Sequence, residues 1–205
     1  MALYSRTEFK AFWQIDSADK DDIIDDCIDA AIASFTSKVG GRTFETDSDT
    51  TRYLNPYLHL SDDYTLEIPW DLCQITTIVT GNGDTIPATD YYIIPRGHVD
   101  GESPILALVL YQSSTYSWHN YGTDPEEGIA ITGRWGYSIA APDLAVKAVR
   151  ALSKLEFDAR KAIGGTIRTP LSGTKTPRPG DWPQVVKDAI DEFTPLADTM
   201  LDTDD

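Results

Sequence analysis

The sequence predicts an α+β protein: a helical bundle, built from N-terminal helices and a long central helix, with a small antiparallel β-barrel or sandwich inserted and an extended C-terminal arm. Three observations carry this. Helical periodicity is concentrated in two stretches, 19–39 and 142–160, on either side of a different pattern. Between them, over 45–135, β-branched and aromatic residues form short runs punctuated by glycine and proline. Residues 164–183 are rich in Gly, Pro, Ser and Thr, a composition that cannot bury a core of its own. The boundaries that follow are 1–44 for the N-terminal helices, 45–135 for the inserted β domain, and 136–163 for the long basic helix that completes the helical domain. Residues 164–205 then form the arm, a short helix and an acidic tail.

In chain order, a short helix is expected over 7–13 and a longer one over 19–39, closed by Gly40-Gly41, where a left-handed cap costs least. In the longer helix Ile24, Cys27, Ile28, Ala31, Ile32 and Phe35 make an apolar stripe, and Asp22, Asp25, Asp26 and Asp29 line an adjacent face. Strands are expected at 64–68, 75–80, 91–94, 105–111 and 128–135, five or six in all, with a hairpin turn at Gly81-Asn82-Gly83-Asp84. Prolines 56, 69, 87, 95 and 104 fall where strand ends and edges tolerate them. Pro142 suits a first helical residue, and Val146, Val149, Leu152 and Leu155 recur at helical spacing beyond it. Val185, Val186, Ala189, Ile190 and Phe193 mark the short C-terminal helix.

Two hundred and five residues suffice for one domain with an insertion, and 41% hydrophobic content is ordinary for a globular protein. The net charge of −16 disfavours free nucleic acid or an anionic membrane as an electrostatic partner. No apolar run reaches the length of a membrane span and no signal-peptide core is present, so no membrane partner is expected. Cys27 and Cys73 make no disulfide framework, which points to a reduced, intracellular setting.

The charge is unevenly placed. Residues 1–41 hold eight acids and four bases, 142–180 three acids and eight bases, and 181–205 eight acids and only Lys187. Such acid–base–acid blocks suit segments that meet one another, within a chain or between copies; solvated faces are the plain alternative.

Tests for chemistry return little. Asp21-Asp22 and Asp25-Asp26 spell DDxxD, a magnesium-diphosphate pattern when two such helices face each other, but no second copy exists. His59, His98 and His119 are scattered without zinc spacing, and Asp100-Gly101-Glu102 lacks the carboxylates of a calcium loop. No phosphate loop, dinucleotide fingerprint or nucleophile elbow is found. Neither an enzyme, a metal nor a cofactor is expected. The 111–121 stretch packs aromatics, Tyr116 and Trp118 among them, with small polar residues. Its rings can pack on the sheet, anchor an interface or stack on sugars.

With these residues laid out, the chain resembles the head–tail connector (adaptor) proteins of tailed bacteriophages and phage-like gene-transfer particles. The helical pair ends in Gly41-Arg42-Thr43-Phe44, similar to that family's helix and GRxF-like turn. Leu66-Glu67-Ile68-Pro69 leading to Ile75-Thr76-Thr77-Ile78-Val79 resembles its β entry, and Thr89-Asp90-Tyr91 its "DY" strand. Gly133-Arg134-Trp135-Gly136-Tyr137, then Pro142-Asp143-Leu144 to Ala148, resembles its junction into a long helix. The resemblance spans 5–160, and order and spacing carry it.

It implies a structural protein of the virion neck, made in the cytoplasm of a bacterial host. Its copies would form a homo-oligomeric ring, a dodecamer by resemblance, below the portal protein. The ring would extend the DNA channel, which DNA traverses without specific binding, and carry a tail-side connector (stopper) or tail terminator protein. On that reading Asp22, Asp25, Asp26 and Asp29 are the candidate channel lining. Arg168, Lys175, Arg178 and Trp182 are candidate anchors of a portal-docking arm, and Lys147, Arg150, Lys154, Tyr116 and Trp118 candidate inter-subunit contacts. The alternatives are a carbohydrate-binding or tail-associated module using the 111–121 aromatics, which sugar binding would reveal, and an acidic DNA-mimic inhibitor. The mimic needs acids over one continuous face, whereas here they lie in terminal blocks flanking a basic one.

Overall fold

A computed structural model describes residues 3–119, 124–162 and 182–195. The chain divides into two compact units: Thr43–Ala140 forms one, and Ala2–Arg42 with Ala141–Asp205 the other.

The second unit is helical. Helix α1 (Arg6–Trp13) is opened by a capping box, in which the Ser5 hydroxyl accepts the Glu8 N–H and the Glu8 carboxylate accepts the Ser5 N–H at 2.8 Å. Helix α2 (Asp21–Lys38) buries Ile24, Cys27, Ile28, Ala31 and Phe35, the expected stripe, with Ile32 half-buried at its margin. It ends as the glycine pair predicts. Gly40 and Gly41 take φ of 73° and 77°, and the Gly41 N–H returns to the Thr36 carbonyl at 2.9 Å. The long helix, α4 (Asp143–Ala162), packs against α2 and against α5 (Gln184–Phe193). Its buried face is Ala145, Ala148, Val149, Leu152, Ser153 and Phe157, rotated from the expected stripe, and Val146 and Leu155 are only half-buried. The small residues Ala145 and Ala148 let the helices approach closely, so the contact line follows them rather than the bulkier Val146. Phe157 meets Phe9 edge-on at 5.6 Å, and Phe193 meets Phe35 at 6.5 Å.

In the β unit, strands β1 (Thr50–Leu54), β3 (Gln74–Thr80) and β6 (Ile129–Arg134) form one antiparallel sheet in the order β1-β6-β3. Strands β2 (Thr65–Glu67), β4 (Tyr91–Ile94) and β5 (Ala107–Leu110) form another in the order β2-β5-β4. Both sheets feed one buried cluster that includes Leu54, Leu66, Ile78, Leu108, Ile129 and Ile131. Two separate sheets, not a closed barrel, replace the barrel alternative.

Three local features differ from expectation. Strand β1 is new: Thr50, Thr51, Arg52 and Tyr53 are all exposed and only Leu54 is buried, so no alternation marks it, and β6 is its one ladder partner. Helix α3 (Pro56–His59) stands where Pro56 reads as a strand end; the Asn55 side chain caps the Tyr57 N–H at 2.9 Å, and Pro56 opens the turn. The 81–84 turn forms, with the Thr80 N–H on the Asp84 carbonyl at 2.9 Å, but the returning chain makes a single bridge, Val79 to Thr85, and leaves. β3 takes β6 as its ladder partner instead, and β4 joins the other sheet.

Both cysteines are free and fully buried. Burial pushes the Cys27 thiol up to about 11 and also raises Cys73. Neither thiol should react with a disulfide reagent at neutral pH until the chain unfolds; titration in and out of guanidinium checks this, and prompt labelling of the folded protein would contradict the burial.

Candidate functional site

The acidic face of α2 is only partly free. Asp25 accepts from Arg6 Nη1 at 2.9 Å, and Asp21 pairs with Lys10 at 2.7 Å and Arg6 at 3.7 Å. Asp26 pairs loosely with Arg160 at 3.4 Å and stays 73% exposed. Asp22 and Asp29 are exposed and have no ionic partner among the described residues. Of the expected lining, Asp22, Asp26 and Asp29 therefore carry the accessible charge, and Asp25 is tied to α1.

The Lys10 ammonium holds the Asp21 carboxyl below its ordinary value by hydrogen bonding, against a smaller desolvation effect. A lowered folded-state value stabilises above the ordinary carboxylate range, and that stability is lost as pH falls through the lowered value. Asp21→Asn should therefore flatten the acid limb of a pH-stability curve and leave its neutral-to-alkaline shape alone; an unchanged acid limb would show that the pair contributes nothing measurable.

The basic residues of α4 make contacts within their own unit. The Arg150 guanidinium lies over the Phe12 ring at 4.2 Å and the Tyr4 ring at 5.5 Å. Lys154 pairs with Asp158 and lies 5.1 Å from the Trp13 ring centre. Lys147 alone of the three is exposed. Between these residues runs an apolar groove of about 490 Å³, with Phe12, Trp13, Leu155, Pro183 and Val185 in its lining. Periodicity could not show it, because it needs α1, α4 and the start of α5 together.

The aromatic stretch after β5 is largely turned inward. Trp118 is fully buried and donates its indole N–H to the Tyr64 carbonyl at 2.7 Å, so its ring packs on the sheet, one of the readings its sequence allows, and presents no surface in the single chain. Tyr116 is half-buried against the same core. Indole burial outweighs exposure here because Trp118 finds a carbonyl partner inside. Trp182, expected as a docking anchor, is likewise buried, at 8% exposure beside the start of α5. Arg168, Lys175 and Arg178 lie outside the described residues.

The residues of the glycine-rich junction tie β6 to the chain that enters the β unit. Trp135 donates its indole N–H to the Thr50 carbonyl at 2.9 Å, Arg134 pairs with Asp49 at 2.6 Å, and the Tyr137 N–H meets the Thr43 carbonyl at 2.7 Å. Arg52 sits between the rings of Trp135 and Trp70, 4.8 and 5.4 Å from their centres. Tyr53, Tyr57, Leu58 and Trp70 are exposed, from 44% to 72%, on β1, α3 and the turn after β2, an apolar surface the sequence reading did not single out.

Among the described residues no group of three or more His, Cys, Asp or Glu side chains could hold a metal ion, and no helix is long and apolar enough to cross a membrane. The DDxxD carboxylates are divided among three basic partners, Arg6, Lys10 and Arg160, and solvent rather than gathered on one point.

No family model matches the chain, and neither does any curated protein. Solved structures do, two of them from gene transfer agent particles. A chain in the neck of an empty gene transfer agent particle superposes with a TM-score of 0.52 at 12% identity, over 95% of this chain and 90% of that one. A chain in the virion of a native gene transfer agent particle superposes with a TM-score of 0.50 at the same 12% identity and coverage. The likeness is one of fold, and it falls on the kind of particle whose connectors the sequence motifs resemble.

Proposed function

We propose that this chain is a head–tail connector (adaptor), a structural protein of the neck of a phage-like or gene-transfer particle, with no catalytic role. The observation that supports it most is the end-to-end fold likeness to a neck chain, covering 95% of this chain and 90% of that one. In this reading copies of the chain form a ring beneath the portal, and the ring continues the DNA channel toward a tail-side connector or terminator. The neck chain it superposes on comes from a reconstruction with sixfold symmetry, which admits rings of six or twelve copies.

The charge distribution gives the reading a physical basis. DNA slides through a bore that does not bind it, and like-charge carboxylates prevent sticking. Asp22, Asp26 and Asp29 are the exposed members of the proposed lining, while Lys147 and the exposed Tyr53, Tyr57, Leu58 and Trp70 suit contacts between proteins. Arg168, Lys175 and Arg178 remain the proposed portal-docking positions.

Quantitative mass spectrometry of purified particles tests the proposal. A fixed copy number equal to that of the portal is expected. Absence of the chain from particles would remove the neck assignment.

A further inference from the structure

We propose that the α1–α4–α5 groove is the docking site of the chain's own acidic segment 196–205. The groove offers Phe12, Trp13 and Leu155 as apolar lining, and its charged lining is three bases, Lys147, Arg150 and Lys154, against the single acid Asp158. Asp158 is already paired with Lys154. An occupant that fits must bring apolar side chains and negative charge together.

Segment 196–205 does so. Leu196, Met200 and Leu201 alternate with Asp198, Asp202, Asp204 and Asp205, and no base is present. The other long stretch outside the described residues, 163–181, carries Arg168, Lys175 and Arg178 with Asp181 as its lone acid, so the basic lining repels it. Reach is sufficient. Pro183 and Val185, at the start of α5, line the groove, and α5 rises about 15 Å from there. Some ten residues of extended chain span about 30 Å, enough to return along the helix. Tethering places the segment at an effective concentration of order millimolar, so weak charge and apolar contacts suffice.

Carbodiimide cross-linking of the full-length protein, prepared as a mixture of ¹⁴N and ¹⁵N chains, reads the contact directly. Links from Lys147 or Lys154 to Asp198 or Asp202 within single-isotope pairs are expected, with the Lys154–Asp158 link as internal control. Mixed-isotope links would place a second copy's segment in the groove and overturn docking within one chain. A control link without any link to 196–205 would overturn the proposal and leave the groove to another protein. A second reading avoids dependence on linkage chemistry: Lys147→Glu, at an exposed position, should speed amide exchange of 196–205 about threefold while exchange elsewhere stays constant. Equal exchange in both proteins would count against the docking.

Discussion

Replacing Trp118 by alanine is expected to cost the β unit about 4 kcal/mol, as large buried aromatics do when the cavity cannot collapse. The side chain is fully buried among residues of both sheets, Leu66 and Leu108 of one and Leu54 and Ile131 of the other, and its indole N–H holds the Tyr64 carbonyl at 2.7 Å. Truncation therefore removes packing and one of the two hydrogen bonds that the Tyr64 carbonyl accepts, the other coming from the Leu110 N–H at 2.9 Å. Trp118→Phe keeps most of the packing and loses the hydrogen bond, so it should cost about 1–2 kcal/mol. Urea unfolding of both variants separates the two contributions. Were Trp118 a surface contact, alanine would change stability by less than about 0.5 kcal/mol.

Gly133→Ala should be nearly as damaging, by about 3 kcal/mol, and for a different reason. Gly133 lies in β6, the central strand of its sheet, opposite Thr50 on one side and Ile75 on the other. A Cβ there would stand 2.1 Å from the Gln74 carbonyl oxygen and 3.2 Å from the Ile75 Cα, both backbone atoms that a rotamer change cannot move. That carbonyl belongs to the β3 backbone paired with β6, beside a register shift between Ile75 and Thr77, so relief would mean opening the β3–β6 ladder. Gly83→Ala is the useful contrast. It meets nothing within 4 Å, and its φ of 87° alone should cost about 1 kcal/mol. Comparable losses at the two positions would show that close approach is not what β6 requires.

These two positions mark the limits of sequence reading. Gly133 stands out in the Gly133-Arg134-Trp135-Gly136-Tyr137 phrase, but nothing local says that its neighbour is Gln74, because β3 and β6 are far apart in the chain. Trp118 sits among Ser, Thr, Asn and His, company that leaves sheet packing, an interface and sugar stacking all open, and only the tertiary structure, which buries it in the β-unit core, decides between them. Elsewhere the missed signals were present. Ser5 and Glu8 are spaced as a capping box and place the start of α1 at Arg6, and Asn55 followed by Pro56 is a helix-opening pair. Strand β1 carried no signal of its own, since four of its five residues are exposed in a row and leave no alternation to read.

The candidate site divides in the same way. That α2 has an apolar stripe and a carboxylate face follows from periodicity alone, as does its closure at Gly40-Gly41. Which carboxylates remain free does not. Arg6 reaches Asp25 from 19 residues away, and Arg160 reaches Asp26 from 134 away. By itself the sequence determined the helices with clear stripes, most of the strands, the charge blocks and the family resemblance, because each depends on neighbours within a turn or two of chain. Strand partners, the groove, the burial of Trp118 and Trp182, and the neutralised part of the acidic face were decided only by the tertiary structure. Those depend on packing and pairing between segments remote in sequence, where the order of residues along the chain sets no distance.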